Sequence, residues 1–61
     1  KLIVIQVNGK KRNIISIKDD LNEKQLTDLI KDKSLISKYL SNGELIKTIY
    51  IKNKIINFII K

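Results

Sequence analysis

The sequence predicts a small α+β domain in which two β-hairpins flank a helical segment. Three observations carry this reading. The two ends, around residues 2–7 and 45–60, are rich in β-branched residues, which suit a pleated, half-buried surface. Each β-rich end is interrupted by a turn signal, Asn8-Gly9 in one and Asn53-Lys54 in the other. Between the ends, apolar residues recur at spacings of three and four instead of two, the period of a helix face.

The first strand is Leu2 to Val7. Asn8-Gly9 follows, and both residues tolerate the positive φ of a tight hairpin turn. Arg12 to Lys18 is the returning strand. A strict two-residue turn pairs Val7 with Lys10 and sets Ile14 on the face of Ile3 and Ile5. A three-residue loop with a bulge sets Ile15 and Ile17 there instead. The second register is preferred, because it buries two Ile of the return strand on one face and leaves Lys10 and Arg12 on the other.

Asp19 to Asp32 reads as helical. Asn22 suits the N-cap, and Gln25 three residues later completes a capping-box pattern. Leu21 and Leu26 then stand where a hydrophobic staple forms. Leu26, Leu29 and Ile30 make the buried stripe. Ser34 is expected to open a second short helix carrying Leu35, Ile36, Tyr39 and Leu40. Asn42-Gly43 ends it, with Gly43 as a left-handed cap. Leu45 to Lys52 and Ile55 to Ile60 are the third and fourth strands.

The first and fourth strands have the densest apolar content, as central strands do. The second and third carry more polar residues and suit edges, where Lys discourages pairing between molecules. The expected order is 2-1-4-3, with the central pair parallel and the helices crossing one face: a ubiquitin-like (β-grasp) roll. The expected core is Ile3, Ile5, Val7, Ile15, Ile17, Leu26, Leu29, Ile30, Leu40, Ile49, Ile51, Ile56, Phe58 and Ile60.

Composition limits the function. With 61 residues, the chain is one domain, and folding hides only about 60% of the unfolded surface, which leaves little room for a cleft. There is no Cys and no His, so disulfides, thiolate metal sites and the commonest general base are excluded. The serines have no His partner, and Gly9 and Gly43 stand alone, so no nucleophilic triad or phosphate-cradling Gly-rich loop is present. Asp19-Asp20 reads as a helix-entry feature beside the capping signal. The longest apolar run, Leu2–Ile5, is far too short to span a membrane, and no signal-peptide pattern is present. A soluble, cytoplasmic monomer is expected, and the missing initiator Met suggests a fragment of a longer chain.

The net charge is +7. Ile, Lys and Asn have A/T-rich codons and together make up more than half of the chain, so codon usage alone could supply much of this charge. Its placement is more informative. Residues 1–18 and 45–61 hold nine cations and no acid, while the middle holds all six acids and four Lys. Such a separation is an electrostatic footprint for a polyanion. Gln6 and Asn57 interrupt the central strands and can point to the helix-free face, joined there by Lys10 and Arg12. That face would offer amide and guanidinium donors to phosphates and base edges, with Lys11, Lys52 and Lys54 adding mobile charge. Tyr50 can stack on a base, although cross-strand packing is the favoured role for it.

Three segments resemble a known family. Gln6-Val7-Asn8-Gly9-Lys10-Lys11-Arg12 is similar to the Q-V-N-G-K-x-R segment that opens the C-terminal domain of bacterial leucyl-tRNA synthetases. Lys38-Tyr39-Leu40 resembles that family's K-x-L near the end of the helical part. The segment from Ile49 to Asn57 is similar to its closing I-x-V-P-G-K-L-x-N. The resemblance covers essentially the whole chain. There are departures: the family's Pro-Gly is Lys52-Asn53 here, its Gly after the second helix falls at Asn42, and Ile14 stands where a polar residue is frequent.

The resemblance implies a tethered C-terminal domain, residues 1–61, of a class I leucine–tRNA ligase. Such a domain reaches the elbow of tRNA-Leu, where the D and T loops meet, and supports ATP-dependent leucylation by the parent enzyme. ATP and magnesium would belong to the parent, with no cofactor and no catalytic residue in this domain. The partners would be tRNA-Leu and, through the tether, the rest of the synthetase. The residues assigned to tRNA are Gln6, Asn8, Lys10, Lys11, Arg12, Lys52, Lys54 and Asn57. The competing function is a basic ubiquitin-like module that binds proteins through its sheet face.

Overall fold

A computed structural model describes all residues, Lys1–Lys61. Strands β1 (Leu2–Val7) and β2 (Lys10–Ser16) are followed by helices α1 (Glu23–Asp32) and α2 (Ser37–Ser41), then strands β3 (Leu45–Ile51) and β4 (Ile55–Ile60). The sheet order is β2-β1-β4-β3, with β1 and β4 parallel and both hairpins antiparallel. This is the expected mixed four-stranded α+β roll.

One face of the sheet supplies Ile3, Ile5, Val7, Ile15, Ile17, Ile56 and Phe58 to the core, and the helical layer supplies Leu26, Ile30 and Ile36. No polar or charged residue is buried. Asn22 caps α1: its side chain accepts from the Gln25 backbone N–H at 2.8 Å, and the Gln25 side chain accepts from the Asn22 N–H at 3.0 Å. The reciprocal pair satisfies two N–H groups that a helix start leaves free. Asp19 and Asp20 lie outside the helix.

The first hairpin combines features of both registers that the sequence allows. The turn is the strict two-residue form, with Val7 opposite Lys10 and positive φ at Asn8 (52°) and Gly9 (81°). The bulge lies further along the strand. Gln6 faces Lys11 and Ile5 faces Asn13, so Arg12 is the extra residue. That insertion restores the phase that buries Ile15 and Ile17 and leaves Ile14 on the far side.

Three expectations are corrected. Ser34 does not open a second helix; it closes α1. Its φ is 56°, its N–H reaches the Lys31 carbonyl at 3.0 Å, and the Leu35 N–H reaches the Ile30 carbonyl at 3.2 Å, the bonding of a Schellman motif. Gly43 does not supply a left-handed cap. A Cβ there would stand 2.4 Å from Ile60 Cγ2 and 2.8 Å from the Lys61 carbonyl oxygen, so the residue permits a close approach between the chain after α2 and the end of β4. In β3, Ile49 and Ile51 are not in the core. Thr48 and Tyr50 stand opposite Phe58 and Ile56, and directly opposed residues share a face. Ile49 and Ile51 are therefore exposed. Leu29, Leu40 and Ile60 are only partly buried, while Ile36, absent from the expected core, is fully enclosed.

Candidate nucleic-acid interface

The residues assigned to RNA separate into four groups. The parallel β1–β4 pair sets the turns of the two hairpins at opposite ends of the sheet, and alternation sends neighbouring strand residues to opposite faces.

At one end lies the Asn8-Gly9 turn. The Asn8 side chain donates to the Ile60 carbonyl at 3.0 Å and accepts from the Ile60 N–H at 2.8 Å. The Asn8 backbone N–H donates to the Phe58 carbonyl at 2.9 Å. Both ends of this amide are thus used to extend the β1–β4 ladder past the last residue of β1. Asn57 Oδ1 accepts from the Gly9 N–H at 3.1 Å. The two asparagines pin the turn to β4; the amide NH2 of Asn57 stays free, and Asn8 keeps one of its two N–H groups. Nothing in residue spacing reveals this, because the partner of Asn8 is 52 positions away.

Lys10 and Arg12 do not join the helix-free face, and this corrects the expectation from alternation. Lys10 is paired with Val7, whose side chain enters the core. Arg12, displaced by the bulge, has its guanidinium 5.3 Å from the centre of the Tyr39 ring. Lys38 of α2 brings its ammonium to 5.1 Å from the same ring. Each contact contributes about 0.5–1 kcal/mol at an exposed site. Lys38 and Tyr39 carry no binding signal of their own in the sequence. Their only sequence signal was a short K-x-L resemblance, and no local pattern connects them to Arg12.

The helix-free face carries Gln6 beside Asn57 and opposite Lys11. These polar residues are set among aliphatic ones. Ile14 and Leu2 on the first hairpin, and Ile49 and Ile51 on β3, are exposed there. The face is thus a largely aliphatic surface with a polar strip, where a polar, basic surface was expected.

At the opposite end, Asp20 gathers three partners: Lys1, Lys52 at 3.6 Å and the Asn53 amide at 3.3 Å. Lys52 accordingly shares a carboxylate with Lys1, whereas Lys54 forms no ion pair. Tyr50 serves packing: its hydroxyl donates to the Leu21 carbonyl at 2.9 Å, and its ring lies against the core.

No family model matches the chain. Curated leucine–tRNA ligases do. One from Buchnera aphidicola of Schizaphis graminum is 41% identical over 58 residues, covering 95% of this chain. Another from Thermosipho melanesiensis is 37% identical over 59 residues. A third from Borreliella burgdorferi is 39% identical over all 61 residues. The chain spans about 7% of the length of these relatives. Among solved structures, the leucyl-tRNA synthetase of Agrobacterium radiobacter, in a ternary complex with tRNA and LeuAMS, superposes with a TM-score of 0.88 at 25% identity. The superposition covers 98% of this chain and 8% of that one. Alike in sequence and fold over nearly all of its length, the chain fits the C-terminal domain of the leucyl-tRNA synthetase family.

Proposed function

We propose that this chain is a single tRNA-binding domain of a leucyl-tRNA synthetase, contacting the elbow of tRNA-Leu and supporting ATP-dependent leucylation by a parent enzyme to which it is tethered. The observation that carries the reading is the fold shared with a segment of a synthetase captured with tRNA. The charge distribution supports it: the sheet-forming ends hold nine cations and no acid, and ten of the thirteen Lys and Arg residues form no ion pair. Gln6, Lys11 and the free end of Asn57 on the open face, Lys10 and Arg12 on the other side and Lys54 at the far turn would meet RNA as separate contacts to its backbone and shape, with Lys52 paired with Asp20 and Asn8 acting through the turn. ATP, magnesium and the leucine-activating chemistry belong to the parent in this reading. The domain acts as a cytoplasmic monomer without a cofactor.

The test is a gel-shift titration of tRNA-Leu at two salt concentrations. Phosphate contacts release counterions, so affinity should fall steeply as salt rises. In the parent enzyme, Arg12→Ala should weaken tRNA-Leu binding by about 1–3 kcal/mol, the scale of a hydrogen bond to a charged group, and leave leucine-dependent pyrophosphate exchange unchanged. Unchanged tRNA affinity rejects the assignment of Arg12, and lost exchange activity points to a structural role. The aliphatic sheet face favours a second reading, a protein-interaction module, for which affinity would change little with salt.

A further inference from the structure

Two cations from distant parts of the chain meet at one aromatic ring. Arg12 comes from the bulge in β2 and Lys38 from α2, and both charges lie within 5.3 Å of the Tyr39 ring centre. Neither cation belongs to any of the three ion pairs, which use Lys1, Lys24 and Lys52. The ring's negative face attracts each of them. An anion reaching this ring meets two charges that no carboxylate neutralises. The ring is also a fixed platform. Tyr39 packs against the core, and the close approach at Gly43 sets the chain after α2 against the end of β4.

We infer that Arg12, Lys38 and Tyr39 form a phosphate clamp on the helix-covered side of the domain, which takes the backbone of a structured RNA. Arg12 forks two hydrogen bonds onto one phosphate, Lys38 supplies a point charge to the same phosphate or its neighbour, and Tyr39 is a positioning residue. The inference rests on the RNA-binding reading for the identity of the partner. It adds α2 to the binding surface and places Arg12 on the side away from the polar strip of Gln6 and Asn57.

Two measurements test it. The first is affinity for a tRNA-Leu transcript as a function of salt, using variants that retain the circular dichroism and thermal transition of the unaltered chain. Lys38→Ala should weaken binding about 5- to 10-fold and lower the salt slope by about 1. Lys31→Ala, which removes the same charge from α1, should change affinity less than about 2-fold. Tyr39→Leu should weaken binding through the loss of the ring face, and Tyr39→Phe should restore it. Equal losses for Lys38→Ala and Lys31→Ala overturn the clamp in favour of diffuse charge.

The second measurement is an NMR titration with tripolyphosphate. Shifts should concentrate at Arg12, Lys38 and Tyr39, and shifts spread evenly over the lysines overturn the clamp. Localised shifts without tRNA binding would reject the RNA reading and keep the clamp. Tight, salt-sensitive tRNA binding unaffected by Lys38→Ala would do the reverse.

Discussion

At the scale of single residues, the same side-chain type serves different ends according to its tertiary partners. Asn8, Asn53 and Asn57 all lie at or near hairpin turns. Asn8 and Asn53 take positive φ, which Asn tolerates better than most residues. Asn8 also holds both backbone groups of Ile60. Replacing it with Ala leaves those groups to water and forces a less tolerant residue into φ 52°. Asn8→Ala should therefore lower the stability of the domain by about 1–3 kcal/mol, read as a shift in the urea midpoint. A loss near zero would show that the two bonds to Ile60 contribute nothing. If tRNA affinity falls in this variant, it should fall in proportion to the unfolded fraction, because both ends of the amide are held by Ile60.

At the scale of elements, the start of α1 and the phase of β1, β2 and β4 were legible, and the end of α1, the ends of α2 and the phase of β3 were not. The Asn22–Gln25 pattern specifies one helix start because both partners lie within four residues of each other. In β3, an alternation that favours Ile49 and Ile51 is overruled by the pairing of Tyr50 with Ile56 and the bond from Tyr50 to the Leu21 carbonyl. An edge strand meets a neighbour on one side only, so its phase is set by what the core must fill, and here a long Tyr reaches the entry of α1. The consequence is measurable by thermal denaturation. Leu26→Ala should cost about 2–5 kcal/mol, as a fully enclosed side chain leaves a cavity. Ile49→Thr should cost less than about 1 kcal/mol. A large loss for Ile49→Thr would place that side chain in the core and reverse the β3 register.

At the scale of the whole molecule, net charge and sparse ion pairing set the response to salt. A net charge of +7 with three ion pairs, all involving exposed side chains, makes self-repulsion larger than specific attraction. Raising NaCl from roughly 0.02 to 0.2 M, which shortens the screening length below about 10 Å, should raise the melting temperature. A fall would mean that the pairs at Asp20 outweigh the repulsion. The sequence by itself determined the α+β class, the strand order, the first helix cap and the basic ends, because each rests on local periodicity or on composition. Only the tertiary structure decided where Arg12 points, that Lys38 and Tyr39 meet it, that Asn8 belongs to the fold and that the open face is aliphatic. Those outcomes depend on one bulge and on contacts across tens of residues. A single inserted residue inverts the facing of every side chain beyond it, and no spacing within a strand announces where the insertion falls.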